Sequence, residues 1–403
     1  MAGRLLGSRI RPKANHRLRP LAKSEMSFLQ SMFGAATSAD ASRTSDRRKV
    51  LLVSNRVMHY RVPVYNYFTR RFRESGWEFV VRSNEIESVN AHELDFDFKL
   101  IPTSFQAYKA EIEQIDPAVV ILFLHLRDRI IWPLVHWLKA RRTPVVLWTK
   151  VKNYDNPNGF ASSILYPYMH WCCDGLNLYA PSELDELSRW NRRKAFAANN
   201  TLNFESLPAI HESKAEIKKQ LGVPFRRVVL SVGRMGAGGG RKRVDQLLDV
   251  FREVQTPDVG LVIVGSGWSP ELAARMNRAN TMYLGEVHDP DDIAISRIFK
   301  MADLFSVPGH IGLGINQAFY WGLPVITAEG AQPPEINYLV HGRNGFMVPA
   351  NDLGALRARI LELLNDDNKC AEFSRNARHD ILMNASIERM FQGFLDSVTF
   401  VTT

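Results

Sequence analysis

The sequence of 403 residues is poor in cysteine and has no long apolar run. The three cysteines are Cys172, Cys173 and Cys370. Two adjacent cysteines and one distant one cannot build a disulfide framework, so we expect a reducing compartment and no metal cluster. The most apolar stretch, residues 118–138, is interrupted by three charged residues at 127–129, whereas a membrane span needs about 20 apolar residues. These absences disfavour a transmembrane protein and a disulfide-rich secreted domain.

Acidic residues are scarce only at the N-terminus. Residues 1–49 hold 11 basic and 3 acidic residues, so eight of the nine net positive charges lie there and residues 50–403 are nearly neutral. A broad basic groove for nucleic acid is therefore disfavoured, and we expect no nucleic-acid partner. We predict that residues 1–48 form a disordered basic extension, able to make peripheral contact with an anionic membrane. The expected location is cytoplasmic, at the inner face of the cytoplasmic membrane.

From Lys49 onward, short apolar or β-branched runs alternate with helical patterns. This alternation predicts parallel sheets covered by helices on both faces, the doubly wound α/β class. A polar stretch near residues 199–205 divides the pattern. We therefore predict one Rossmann-like domain at 49–205, a second at 206–385, and a last helix at 386–403 that packs back toward the first domain. Ligands of such folds bind at the carboxyl ends of the strands, so the site is expected in the cleft between the domains.

A glycine-rich loop follows the predicted strand Arg227–Val232. Arg234 comes directly after this strand, and Lys242 lies where the next helix is expected to begin. Two cations that converge at a strand end suit a diphosphate, and glycines let the backbone approach it. The loop lacks the Gly-Lys-Ser/Thr of a Walker A motif and the glycine spacing of a dinucleotide fingerprint. From the residues alone, a flexible surface loop with solvated charges explains the pattern equally well.

A second glycine-rich turn lies between Val307 and Val325. It leads from a predicted strand into a helix that starts near Gly312, Leu313 and Gly314. Unpaired N–H groups and the helix dipole favour a phosphate at such a position. Two anion sites in one domain indicate a nucleotide diphosphate.

The order of motifs in residues 227–366 resembles the C-terminal domain of glycosyltransferase family 4. The motifs are Gly-Arg…Lys (233–242), Gly-Ser-Gly (265–267), Leu-Gly-Glu-Val (284–287), Ala-Asp-Leu-Phe (302–305), Gly-x-Gly…Gly-Leu-Pro-Val (312–325), Pro-Glu (334–335) and Gly-Arg-Asn-Gly (342–345). The resemblance implies the GT-B fold, two Rossmann-like domains facing a cleft. It also implies transfer of a sugar, with retention, from a nucleotide-diphospho-sugar to a glycan or lipid-linked acceptor in cell-surface polysaccharide or glycolipid biosynthesis.

The same resemblance implies roles for residues of the second domain. Those implied to bind the donor diphosphate are Arg234, Lys242, Gly312, Leu313 and Gly314. Those implied to face the base, ribose or sugar are Glu286, Val287, Gln317, His310 and Glu335. The family usually has two glutamates with seven residues between them, and the matching positions are Gly309 and Gln317. An amide still hydrogen-bonds a hydroxyl, but a glycine cannot, so His310, Glu329 or Glu335 is the expected substitute.

In the first domain, the expected catalytic residue is His125, which follows the strand 118–124 and faces the cleft in many relatives. The expected acceptor-side residues are His59, Tyr60, Arg61 and Lys150. For each of these a structural reading stays open: a core histidine, a helix-start cap with a stacked ring, or a solvated lysine.

No metal site or cofactor is expected, because the departing diphosphate can be stabilised by Arg234 and Lys242 alone. Two alternatives remain open. One is a nucleotide-sugar-binding subunit that has lost catalysis, suggested by the missing glutamates. The other is a sugar-nucleotide epimerase of the GT-B fold. A nicotinamide dehydrogenase is disfavoured, since residues 54–57 after the first strand contain no glycine for a pyrophosphate.

Overall fold

The computed structural model describes residues 48–87, 92–126, 128–234, 240–276, 278, 280–287 and 291–403. The predicted basic extension, residues 1–48, lies outside this part of the chain except for Arg48. That residue belongs to the first strand.

The first sheet consists of seven parallel strands. They are β1 (Arg48–Ser54), β2 (Trp77–Ser83), β3 (Asp97–Leu100), β4 (Val119–Phe123), β5 (Val145–Thr149), β6 (Gly175–Leu178) and β7 (Ala195–Ala197). Their order across the sheet is β3-β2-β1-β4-β5-β6-β7. The strand order reverses between β1 and β4, which is where a doubly wound sheet opens a crevice for ligands.

The second sheet consists of six parallel strands. They are β8 (Arg227–Val232), β9 (Val259–Val264), β10 (Thr281–Tyr283), β11 (Leu304–Ser306), β12 (Val325–Ala328) and β13 (Gly345–Val348). Their order is β10-β9-β8-β11-β12-β13, so the reversal lies between β8 and β11.

Helices connect the strands. They are α1 (Val62–Glu74), α2 (Phe105–Ile115), α3 (Ile131–Ala140), α4 (Tyr166–Cys172), α5 (Arg189–Arg192), α6 (Lys214–Gln220), α7 (Val244–Glu253), α8 (Pro270–Ala273), α9 (Ile293–Met301), α10 (Gly314–Tyr320), α11 (Leu353–Asn365), α12 (Asp367–Asn384) and α13 (Ile387–Thr402). A π-helical turn, Ala161–Leu165, leads directly into α4. Four 3-10 turns lie at His59–Arg61, Pro181–Glu186, Phe204–Ser206 and Pro334–Tyr338.

Both faces of each sheet are covered, as the continuous apolar strands predict. In β4, Val119 and Ile121 belong to one apolar cluster, whereas Val120 and Leu122 belong to the cluster on the opposite face. Consecutive side chains of a strand point to opposite faces, so a strand without polar residues requires helices on both sides. The second sheet has the same two-sided core. The prediction of two doubly wound sheets is confirmed.

The last helix, α13, packs against the first sheet although it follows the second sheet in sequence. Phe391 and Phe394 lie in the same apolar cluster as Phe68 and Phe72 of α1. Gly393 permits this approach, because a Cβ atom there would lie 2.5 Å from the carbonyl oxygen of Ala197. The chain therefore crosses between the two sheets twice. Within the described residues, no helix combines the length and the apolar character needed to cross a bilayer.

Candidate active site

The glycine-rich loop after β8 and the turn after β11 touch each other backbone to backbone. The amide of Gly309 donates to the carbonyl of Lys242 (3.0 Å), and the amide of His310 donates to that of Arg241 (2.6 Å). A Cβ atom on Gly309 would lie 1.9 Å from the Arg241 carbonyl oxygen, so no side chain fits there. Gly309, which the resemblance matches to a glutamate of the family, is thus required by the close approach of the loop.

Lys242 spans the gap between these two segments. Its aliphatic stem lies over Gly233, where a Cβ atom would be 3.1 Å from Cε, and its Nζ donates to the carbonyl of Ile311 (3.0 Å). The ammonium group therefore lies beside the start of α10, where Gly312, Leu313 and Gly314 are placed. These predicted diphosphate-binding residues are brought together.

Gln332 holds the turn after β11 in this position. Its buried side chain accepts a hydrogen bond from the amide of Ile311 (3.1 Å) and donates to the carbonyls of Gly309 and Ala328 (both 2.8 Å). It also donates to the hydroxyl of Thr327 (2.9 Å). Gln332 thus fixes the carbonyl of Ile311 to which Lys242 binds.

Positive charge dominates the junction of the loop and the turn. Burial, and then the neighbouring charge of Arg241, lowers the pKa of Lys242 to about 8, although Glu335 opposes the shift. Burial also lowers the pKa of His310 to about 4, and the charges of Arg241, Lys242 and Lys150 add to this shift. At neutral pH His310 is therefore uncharged. Lys150 directly follows β5 of the first sheet, so both halves contribute charge to one place.

Two carboxylates of the first half reach the cations of the loop. Glu87, only 4% exposed, accepts a hydrogen bond from Arg234 (2.8 Å) and from Nδ1 and the amide of His59 (2.7 and 3.1 Å). Asp155 accepts one from Arg241 (2.7 Å). Burial alone would raise the pKa of Glu87, but the hydrogen bonds from His59 and Arg234 outweigh burial and lower the pKa to about 2. Arg234 is therefore held by a carboxylate at the place where we expect the donor diphosphate.

Asn200 is the centre of a buried polar cluster that joins the two halves. Its Oδ1 accepts from the Arg61 guanidinium (2.7 Å), and its Nδ2 donates to Oε1 of Glu335 (2.5 Å). Its carbonyl accepts from Asn316 (3.2 Å) and from the Tyr338 hydroxyl (3.3 Å). Glu335 is buried in this cluster, beside Lys242, and does not stand free in the cleft.

A cavity of about 440 Å³ lies at the carboxyl ends of β1, β4 and β5. Four predicted residues line it, namely Tyr60, Arg61, His125 and Lys150, together with Trp148, Tyr166 and Tyr179. His125 is fixed through its backbone, since its amide donates to Oδ1 of Asn55 (2.8 Å). His59 is not among the lining residues, because Glu87 holds its ring. Arg61 lines the cavity, but it is only 3% exposed and donates to Asn200 and to the carbonyl of Thr201 (3.4 Å).

The segment predicted to hold the base follows β10. Glu286 is exposed and Val287 is half-buried. The preceding Gly285 accepts from the amide of Gly265 (2.9 Å), and a Cβ atom on Gly265 would lie 1.9 Å from the carbonyl oxygen of Gly233. The base segment is therefore connected to the start of the glycine-rich loop. Gln317 is half-buried on α10, one turn beyond Leu313.

Sequence reasoning assigned no role to Glu87, Asp155, Asn200 and Gln332. Two of these residues carried a local signal. Asn200 lies in the segment 198–201, which resembles the same family, and Gln332 directly precedes the two prolines of the Pro-Glu motif. Glu87 and Asp155 carried no local signal, because their arginine partners, Arg234 and Arg241, lie more than 80 residues away.

The second sheet and its loops match a known family. Residues 226–366 match the family model of glycosyl transferases group 1. A sulfoquinovosyl transferase of Arabidopsis thaliana is 23% identical over 190 residues, which is 45% of this chain and 35% of the plant protein. A poly(ribitol-phosphate) alpha-N-acetylglucosaminyltransferase of Staphylococcus aureus is 24% identical over 220 residues, 53% of this chain and 42% of that protein. The chain thus covers less than half of the length of these two curated relatives.

A solved structure agrees over nearly the whole chain. The Anabaena protein HepE in complex with UDP superposes with a TM-score of 0.69 at 14% identity, over 87% of this chain and 99% of that one. At this identity the likeness concerns the fold. Residues 226–366 thus match the glycosyl transferases group 1 family, and the chain has the GT-B fold.

Proposed function

We propose that the protein is a retaining glycosyltransferase that moves a sugar from a nucleotide-diphospho-sugar to a glycan or lipid-linked acceptor in cell-surface polysaccharide or glycolipid biosynthesis. One observation carries the proposal. Lys242, with Arg241 beside it, converges on the start of α10 at the reversal between β8 and β11. Cations and helix-start amides at a strand reversal are an arrangement that suits a diphosphate.

Related proteins support the choice of donor. HepE has been solved with UDP and with UDP-glucose. The two curated relatives are named as transferases of a sulfoquinovosyl and an N-acetylglucosaminyl group. We therefore expect a uridine nucleotide as the first donor to test, with Glu286 and Val287 at the base and Gln317 at the ribose or sugar.

The proposed reaction separates charge at the donor phosphate. The bond between the anomeric carbon and the β-phosphate oxygen breaks, and the nucleoside diphosphate leaves with the electron pair. The acceptor hydroxyl oxygen bonds to the same face of that carbon, and its proton passes to the departing phosphate oxygen. Lys242, Arg241 and Arg234 would stabilise the leaving diphosphate electrostatically, once Arg234 is released from Glu87. Tyr60, His125 and Lys150 would line the acceptor site.

We propose that this chemistry needs no metal ion and no cofactor. Within the described residues, no group of three or more His, Cys, Asp or Glu side chains is placed to hold a metal ion. Transfer by protein treated with a chelator is expected to continue at an undiminished rate. A loss of activity that Mg²⁺ or Mn²⁺ restores would contradict this part of the proposal.

Calorimetry with UDP, GDP and ADP tests the donor site directly. One nucleoside diphosphate is expected to bind, and Lys242→Ala is expected to weaken it by about 1.5–3 kcal/mol, the worth of a charged hydrogen bond. Lys219→Ala is a matched control, because Lys219 is exposed on α6. Equal affinity of both folded variants for the nucleotide would place the donor elsewhere.

A second candidate function is a nucleotide-sugar-binding subunit without catalysis. The observation that favours it is the absence of room for any carboxylate at position 309. Slow hydrolysis of the donor by the purified protein, or transfer to any acceptor, excludes it. Tight UDP-sugar binding without turnover would support it instead.

A further inference from the structure

Large apolar side chains stand exposed in a row after β5. Phe160, Ile164, Tyr168 and Trp171 follow one another along the π-helical turn and α4, at intervals of four, four and three residues. Phe160 is 66% exposed and Trp171 is 69% exposed. This spacing places the side chains on one side of a helix. The opposite side is buried through Met169 and Cys172 in the core of the first sheet.

Trp190 extends the row sideways. It is 73% exposed on α5, which packs against α4. We call Phe160, Ile164, Tyr168, Trp171 and Trp190 the aromatic face. Contiguous exposed apolar surface of this kind marks an interaction site in a folded protein.

The rim of the aromatic face is basic. Arg193 lies over the Trp190 ring (5.2 Å), Arg189 is exposed next to Trp190, and Lys194 donates to the carbonyl of Trp171 (3.1 Å). The nearby acidic side chains Asp174, Asp185 and Glu186 are paired with Lys139, Arg192 and Lys152. Within the described part of the chain, neither Arg189 nor Arg193 forms a salt bridge, so the rim carries uncompensated positive charge.

The aromatic face also adjoins the cavity of the first half. Tyr166 lines that cavity and lies on α4 between Ile164 and Tyr168 of the face. Tyr154 and Asp155, in the loop between β5 and the row, meet Glu183 and Arg241. A single helical segment therefore forms a wall of the cavity and presents exposed aromatic rings.

We propose that the aromatic face docks on the surface of an anionic lipid bilayer. Tryptophan and tyrosine rings, apolar with a polar edge, suit the headgroup level of a membrane. Exposed arginines beside them are attracted to anionic headgroups. The docked protein would open its cavity toward the membrane, where a lipid-linked acceptor would be found; this last point rests on the proposed function.

Vesicle flotation of the full-length protein tests the proposal. We expect the protein to float with phosphatidylcholine vesicles that contain about a third of phosphatidylglycerol, and much less with phosphatidylcholine alone. Phe160→Ser/Trp171→Ser is expected to lower the bound fraction about fivefold or more, because it removes the apolar part of the contact. Met383→Ser, at a residue 52% exposed on α12, is the matched control and should float like the wild type.

A second pair of variants tests the charge. Arg193→Glu is expected to reduce flotation, whereas Arg375→Glu, at an exposed arginine of α12, is not. Failure of the wild type to float, or equal flotation of the target and control variants, overturns the proposal. A change from dimer to monomer in Phe160→Ser/Trp171→Ser with unchanged flotation would also overturn it, by assigning the face to a second copy. UDP affinity is measured on every variant, so that failure of this proposal is distinguished from failure of the donor site.

Discussion

The ammonium group of Lys242 is buried among other positive charges, and its pKa is lowered to about 8. A bound diphosphate favours the protonated form, so UDP affinity should be constant near pH 7 and fall as the pH rises above about 8. The expected loss approaches tenfold per pH unit, since one pKa unit corresponds to about 1.4 kcal/mol. Calorimetry between pH 6.5 and 9 measures it. Lys242→Arg is the control. Its guanidinium stays charged over this pH range, so any pH dependence of UDP affinity that this variant keeps comes from titration of the nucleotide itself.

The structural reason for a glycine at position 309 could not be predicted from the sequence. The resemblance marks it as a missing glutamate, which suggests loss of function. In the structure the glycine allows the loop to reach the turn, so that Lys242 comes close to the start of α10. This reason was not predictable, because it depends on the carbonyl of Arg241, 68 residues earlier in the chain.

At the scale of elements, the apolar pattern of the sequence was sufficient to predict most strands and helices. Strand β8 begins and ends at the predicted residues. The missed elements are α5, β7, α6 and β13. Strand β7 has only three residues, all half-buried, and β13 was recognised only as a motif. Helix α6 had a usable signal, since Ser213 and Glu216 form a capping box at its start.

The contacts between elements were less predictable than the elements themselves. The pattern placed Arg234 and Lys242 at the end of a strand, and in the structure both follow the carboxyl end of β8. Parallel strands bring such ends to one edge of a sheet. The side-chain partners of these residues come from elements distant in sequence. Arg61, for example, lines the cavity beside the other predicted acceptor-side residues, and its guanidinium is also bound within the cluster around Asn200.

Gln332 couples two elements, the turn after β11 and the end of β12. Gln332→Ala should leave the amide of Ile311 without its buried acceptor and loosen the carbonyl that holds Lys242. We expect a loss of about 1–3 kcal/mol in the free energy of unfolding and weaker UDP binding. Denaturant titration and calorimetry measure the two effects. Gln392→Ala, at an exposed residue of α13, should change neither. Unchanged UDP affinity in a destabilised Gln332→Ala would limit the residue to a structural role.

At the scale of the whole molecule, the ion pair between Glu87 and Arg234 connects the two halves. Because the pKa of Glu87 is lowered to about 2, the carboxylate stays ionised at neutral and mildly acidic pH. Its contribution to stability is present above its ordinary pKa near 4.5 and is lost as the pH falls toward 2. Physiological pH changes should therefore not release Arg234, and the donor must displace the carboxylate.

Glu87→Gln should consequently raise UDP affinity. The expected gain is about two- to fivefold, the worth of a partly exposed ion pair. Calorimetry at low salt measures it, since salt screens such contacts. Glu85→Gln is the matched control, because Glu85 is exposed two residues away and pairs with Arg56. A fall in affinity would show that Glu87 supports the donor site.

The basic extension concerns the molecule as a whole, because it carries seven of the nine net charges but none of the predicted site residues. Deleting residues 1–46 should leave UDP affinity and transfer to a soluble acceptor unchanged, since every site residue lies in residues 47–403. Vesicle flotation should decrease and not vanish, because stable membrane binding usually combines two signals and the aromatic face remains. Combining the deletion with Phe160→Ser/Trp171→Ser should abolish flotation. If the deletion alone abolishes it, the extension is the membrane contact and the aromatic face contributes nothing.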